Sequence, residues 1–170
     1  GTGILSTAIK RGLDTGKLGA EAERLMAALN TPGQVLAEKG LVKAGTDVTG
    51  FGLLGHLGSL AKASGVTARL EHTKVPVIGD RVLELIGEGC VPGGTRANLA
   101  AATPYTHFAE CVPEEMQLLL ADAQTSGGLL LCVPPKNLEE VLEVLSATAA
   151  PCAEIIGECA DGGEHAVEVS

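Results

Sequence analysis

The chain has no tryptophan, one tyrosine and two phenylalanines. An aromatic core is therefore excluded, and the interior must be built from Leu, Val, Ile and Ala. Cations are also scarce, with 12 Lys and Arg against 21 Asp and Glu and a formal net charge of -9. Phosphate backbones and anionic lipid are repelled by that balance unless a local basic patch overrides it, and the cations are scattered, so no nucleic-acid partner is expected. No stretch approaches the roughly 20 apolar residues that span a bilayer, and no charged-then-apolar leader opens the chain, so no membrane partner is expected either. The five cysteines form no C-x-x-C pair of the kind that holds zinc, and their odd number argues against a complete disulfide framework. A reducing cytoplasm fits that usage, with most of the cysteines expected as small buried hydrophobes and Cys132 the clearest case. No local signature of a Ser-His-acid or Cys-His arrangement is present. There is also no initiator Met, which suggests a cut from a longer chain.

What is present is a foldable composition: 170 residues, 45% hydrophobic and 19% charged, enough for one domain with a real core. Helical apolar spacing predicts helices over 18–29, from Pro32 to about Lys39 behind a Thr31 cap, over 53–64 with a stop at Gly65, over 76–88, and over 136–147. Short strands are predicted at 41–45, 66–72, 129–133 and 153–160, and Pro92-Gly93-Gly94 marks a loop before a turn of helix. Residues 129–160 then read as a β-α-β unit. Strands alternating with helices predict a layered α/β domain with a mixed sheet covered by helices.

The stretch "GTDVTGFGLLGH", Gly45 to His56, contains G-x-G-x-x-G between a predicted strand and a predicted helix. Glu71 at the end of the next strand supplies the acid that a dinucleotide-binding loop places on ribose, so an NAD-binding oxidoreductase domain is one reading. Against it, Asp47 stands where the pyrophosphate would lie, and unit charges about 4 Å apart repel by several kcal/mol at a protein-like dielectric. With a magnesium ion between them the same aspartate becomes an asset, since this hard cation is commonly shared between a carboxylate and substrate phosphates. The residues alone leave a plainer role equally open, in which Asp47 caps the following helix. His56, spaced with Leu53 and Leu60, reads as a hydrogen-bonded core histidine. Gln124, Thr125 and Ser126, ahead of two glycines, could hold a phosphate or simply cap a turn. Arg96 is an anion candidate, and His72, His107 and His165 read as ordinary surface positions.

Three stretches in order, "TDVTGFGLLGHL" at 46–57, "VPGGTRANL" at 91–99 and "ADAQTSGGLLL" at 121–131, closely resemble the C-terminal half of the selenophosphate synthetase (selenide, water dikinase) family. "GTGIL" at the start resembles the junction between that family's halves, and "AEIIGE" at 153–158 its final strand, so the resemblance covers essentially the whole chain. The family lies among the aminoimidazole ribonucleotide synthetase-like enzymes, with an N-terminal ATP-binding domain and a C-terminal α/β domain. The resemblance implies that residues 1–170 are that second domain alone, with the N-terminal domain as partner and a homodimer as the full cytoplasmic enzyme. It implies a reaction of ATP, selenide and water giving selenophosphate, AMP and phosphate, with Mg2+. It also implies Asp47 as a magnesium ligand, with Thr46, Thr49, Gly50 and Gly52 shaping the loop that faces the nucleotide. No catalytic residue is expected here, because the reactive cysteine or selenocysteine and its lysine lie in the other half, and the piece alone is expected to be inactive. One departure is Ala123, where the family has proline, which removes a fixed φ from the third motif. A non-catalytic interaction module is the remaining alternative, and it predicts an exposed apolar patch.

Overall fold

Along Val66–Leu70 (β2), Ala68 and Leu70 are buried while Arg69 faces solvent, the alternation of a half-buried strand. Thr67 is buried too, at no polar cost, because its hydroxyl donates to the His165 carbonyl at 2.8 Å and accepts from the Gly163 N–H at 2.7 Å. In this computed structural model, which describes residues 1–170, β2 is an inner strand of a four-stranded mixed sheet. Thr106–Phe108 (β3), Val167–Val169 (β6), β2 and Gly157–Asp161 (β5) follow in that order across it. The β3–β6 and β6–β2 pairs are parallel and β2–β5 is antiparallel. A second, two-stranded ladder pairs Ala44–Asp47 (β1) antiparallel with Leu129–Cys132 (β4), setting Asp47 opposite Leu129 and Ala44 opposite Cys132.

Eight helices cover these strands: Thr2–Lys10 (α1), Leu18–Ala27 (α2), Pro32–Glu38 (α3), Gly52–Ser64 (α4), Arg81–Gly87 (α5), Gly93–Ala102 (α6), Glu114–Leu120 (α7) and Leu138–Ala147 (α8). Helix α4 lays Leu54, Leu57 and Ala61 onto Ala68, Leu70, Val167 and Val169 of the sheet, and this is the main core. A second core joins Ile4, Leu5 and Ala8 of α1 to Val82, Leu85 and Ile86 of α5 and to Leu118 and Leu119 of α7. The third packs Leu36 of α3 against Val141 and Val144 of α8. Each is aliphatic, as the shortage of aromatics requires. The layered α/β class with a mixed sheet and flanking helices is as predicted.

Local signals placed α2, α3, α4 and α8 within a few residues. Gly65 ends α4 in the left-handed region at φ 66°, where its N–H reaches the Ala61 and Lys62 carbonyls. The helix predicted from Pro76 begins only at Arg81, and the strand predicted from Ala153 only at Gly157. The expected β-α-β unit at 129–160 is corrected: β4 belongs to the two-stranded ladder and β5 to the edge of the mixed sheet, so α8 carries the chain between sheets. The cysteine expectation is also corrected, since Cys90 alone is buried, Cys132 is half-buried, and Cys111, Cys152 and Cys159 are exposed. No helix is long and apolar enough to cross a membrane.

Candidate functional site

The end of β1 runs straight into a tight loop whose bonds are nearly all internal to the protein. Gly52 N–H donates to the Thr49 carbonyl at 3.0 Å, and the Gln124 N–H donates to that same carbonyl at 3.0 Å. The Thr49 N–H donates to His56 Nε2 at 3.1 Å. A backbone N–H can only donate, so Nε2 is the acceptor and the ring carries its proton on Nδ1. The Thr49 hydroxyl lies 3.2 Å from the same nitrogen. His56 is therefore a half-buried clasp that closes its own loop, in the bonded role expected of it.

A second loop, 121–128, is laced to the first. Val48 N–H donates to the Gly128 carbonyl at 2.9 Å, and Asn98 of α6 donates from Nδ2 to both the Gly50 carbonyl at 2.8 Å and the Ala121 carbonyl at 3.1 Å. The two loops touch backbone to backbone. A Cβ added at Gly127 would lie 2.0 Å from the Val48 carbonyl oxygen, and one at Gly52 would lie 2.5 Å from the Ala121 carbonyl carbon.

Gly52 also sits at φ 68°, where a side chain strains the backbone. Gly65 has nearly the same φ, 66°, with nothing within 4 Å of its would-be Cβ, so the pair separates conformation from contact. Gly65→Ala is expected to cost about 1 to 2 kcal/mol from the left-handed conformation alone. Gly52→Ala adds an overpacking cost and is expected to lose about 3 to 4 kcal/mol in urea denaturation. Equal losses at the two positions would show that the Ala121 contact yields freely.

Beneath the loops lies a group that the sequence did not single out. Asp122 is fully buried; its Oδ2 accepts from the N–H groups of Gly3 at 3.0 Å and Ile4 at 3.3 Å, and its Oδ1 from the Thr95 hydroxyl at 2.7 Å. Gln124 Nε2 donates to Oδ2 at 3.1 Å, while Gln124 Oε1 accepts from the Thr2 hydroxyl at 3.0 Å. The carboxylate thus caps α1 from 119 residues away, placing negative charge at the helix N-terminus. Its only sequence signal is an acid directly after the apolar run 118–121. Stretches far apart in the chain, 1–5, 46–57, 91–99 and 121–131, meet at this node.

Above it, the rim is exposed. Asp47 faces solvent, and its carboxylate makes no hydrogen bond or ion pair. The capping role left open for it is not adopted: the residue ahead of α4 is Phe51, with no side-chain cap bond. Phe51 is 68% exposed, and Thr125 and Ser126 are exposed at the neighbouring loop, Ser126 at φ 52°. Arg96, on α6, is exposed and has no ion-pair partner, while Glu71 is paired with Lys74 at 2.8 Å. A depression of about 550 Å³ along α8, lined by Glu139, Leu142, Glu143, Ser146 and Ala147, shares no residue with this rim. The candidate site is an open loop edge, complete only when something covers it.

A family model described as AIR synthase related protein, C-terminal domain, matches residues 1–170. The chain belongs to that family. Among relatives of this AIR synthase related domain, the selenide, water dikinase of Myxococcus xanthus is 44% identical over 164 residues, covering 95% of this chain and 46% of the relative. Those of Pseudomonas putida and Escherichia coli K12 are each 42% identical, covering 99% of this chain and 48% of theirs. The chain spans about half the length of the curated relatives it matches. A hydrogenase maturation protein HypE superposes with TM-score 0.64 at 20% identity, over 96% of this chain and 42% of that one. The Thermus thermophilus protein tt0281 gives 0.62 at 20% identity, over 99% and 44%. Those two likenesses are of fold.

In this AIR synthase related domain the dinucleotide-loop reading is corrected. A β-α-β nucleotide loop needs its two strands parallel in one sheet, whereas β1 and β2, on either side of α4, lie in different sheets. The glycine that should admit pyrophosphate, Gly52, is filled on its open side by Ala121. The other expected loop residues are brought together: Thr46, whose hydroxyl donates to the Asp47 carbonyl at 3.0 Å, and Thr49, Gly50 and Gly52 through the bonds above. Asn98, Thr95 and Asp122 were missed as determinants because each acts across at least 23 residues.

Proposed function

We propose that residues 1–170 are the single C-terminal α/β domain of a two-domain selenide, water dikinase, making selenophosphate, AMP and phosphate from ATP, selenide and water. The observation that carries the reading is the identity of 44% and 42% to relatives of that name over 95% and 99% of the chain, and the three loop stretches that resemble the family share one node. A HypE protein that shares the fold is solved in complex with ATP, which supports ATP as the nucleotide that meets this rim. The N-terminal domain of the same chain is the partner that covers the rim, and Phe51 is the apolar anchor offered to it. We take the complete enzyme as a cytoplasmic homodimer.

The donor chemistry at the rim fits a magnesium ion. Asp47 presents a free, solvated carboxylate at the end of a rigid strand, and no protein cation neutralises it. It is one ligand, and no group of three or more His, Cys, Asp or Glu converges here, so the remaining ligands come from the nucleotide, water and the N-terminal domain. When bound, the ion offsets the charge of the ATP phosphates. The work of this chain is then positional. Thr49, His56 and Asn98 hold the backbone at 48–52 still, so that the carboxylate meets the phosphates without rearranging. Thr125 and Ser126 offer hydroxyls along the same edge, the Thr125 N–H being already donated to the Thr2 hydroxyl at 3.4 Å.

The isolated chain is expected to give no selenide-dependent AMP, since the nucleophile and most ATP contacts lie in the other half. The complete protein should give it in the same assay. Turnover by residues 1–170 alone, or an inert complete protein that is folded and binds ATP, would overturn the proposal.

A further inference from the structure

Sequence position hides one close pair of thiols. Cys132 ends β4, and Cys159 stands in the middle of β5, the edge strand of the mixed sheet. Their sulfurs are 4.0 Å apart. Both cysteines are free, and the two ladders they belong to share no strand hydrogen bonds. That gap is about 2 Å more than the roughly 2.05 Å of a disulfide, so the two sulfurs are neighbours across the ladders. The site is independent of the function proposed above and shares no residue with the rim.

We propose that Cys132 and Cys159 are a reversible redox site that takes a hydroperoxide as oxidant and bridges the two sheets with a disulfide. The exposed Cys159 attacks the O–O bond, becomes a sulfenic acid and releases water or alcohol. Cys132 then attacks the Cys159 sulfur; the S–S bond forms, the S–O bond breaks, and the hydroxyl leaves as water with the Cys132 proton. Two electrons pass from the thiol pair to the peroxide, and a small-molecule thiol returns them. The division of labour follows the surroundings. Burial, with the Cys159 sulfur beside it, pushes the Cys132 thiol up to about 11, so it stays protonated while the solvent-facing Cys159 meets the oxidant first. Oxidation would tie the ladder that carries Asp47 to the edge of the mixed sheet.

Peptide mapping by mass spectrometry after brief treatment of the full chain with one equivalent of hydrogen peroxide tests this. The expected product is a linked Cys132–Cys159 peptide that disappears on reduction, with exposed Cys111 and Cys152 still free. Cys132→Ser should leave Cys159 as a sulfenic acid that dimedone traps, and the oxidised unmutated chain should melt about 5 to 10 °C higher than the reduced one, a shift absent in the variant. Recovery of Cys132 as a free thiol while Cys159 has gone to sulfinic acid, or into a disulfide between two chains, would overturn the proposal. The peptide map of the unmutated protein decides this even if a variant misfolds.

Discussion

Asp47→Asn in the complete protein is expected to lower selenide-dependent AMP formation by about 100-fold or more while leaving the urea midpoint within error. The two halves of that expectation come from the same observation. The Asp47 carboxylate is solvated and bonded to nothing in this chain, so removing its charge takes away no folded-state interaction. A group that is free of structural duty yet fixed at the mouth of a braced loop has its whole effect on what binds there. Loss of one carboxylate ligand weakens the hold on a hard cation, so part of the activity should return at high magnesium concentration. A cap would behave in the opposite way, with stability down by about 1 kcal/mol and turnover nearly intact. Measuring both quantities on one variant therefore separates the roles, and near-normal turnover would remove Asp47 from the site.

The loops that carry the resemblance meet at one node, and the physics of single residues explains which parts of the fold were legible. Helices α2, α4 and α8 were legible because their apolar spacing, their stops at Gly65 and their breaks at Pro134 and Pro135 are all local. Helix α7 had a local signal too, Pro113 with Glu114 and Glu115 in the first turn, that the pattern of long apolar runs obscured. Helix α1 carries Ile4, Leu5 and Ala8 at helical spacing but has no local start signal: it opens on Gly1, Thr2 and Gly3, and its cap is Asp122. Strands β3 and β6 are three residues each, too short to show a period of two. Sheet membership was beyond reach for a different reason. Which strand pairs with which depends on contacts such as β1 with β4, more than eighty residues apart, and a strand-helix-strand pattern does not say whether its strands share a sheet.

Asp122→Ala is expected to produce the largest loss of stability of any single change in the node, about 3 to 5 kcal/mol, or a fall of about 10 °C in melting temperature. The site is fully buried, so bulk solvent does not reach the donors left behind when the side chain is cut back. Two first-turn N–H groups of α1 and the hydroxyl of Thr95, itself buried, are left without their partner. The stabilising charge at the helix N-terminus goes with it. Asp122→Asn keeps the shape but turns an amide NH2 toward one set of donors, either Thr95 or the Gly3 and Ile4 pair, so it should cost about half as much. Thr95→Val, which removes a single donor, should cost about 1 to 2 kcal/mol, and the double variant should fall short of the sum, because both changes break the same bond. Strict additivity would show that the two side chains do not act together. Because Asp122 sits under the loop that braces Asp47, loss of activity in its variants should track the unfolded fraction with temperature. In Asp47→Asn, by contrast, the activity loss should persist well below the melting transition.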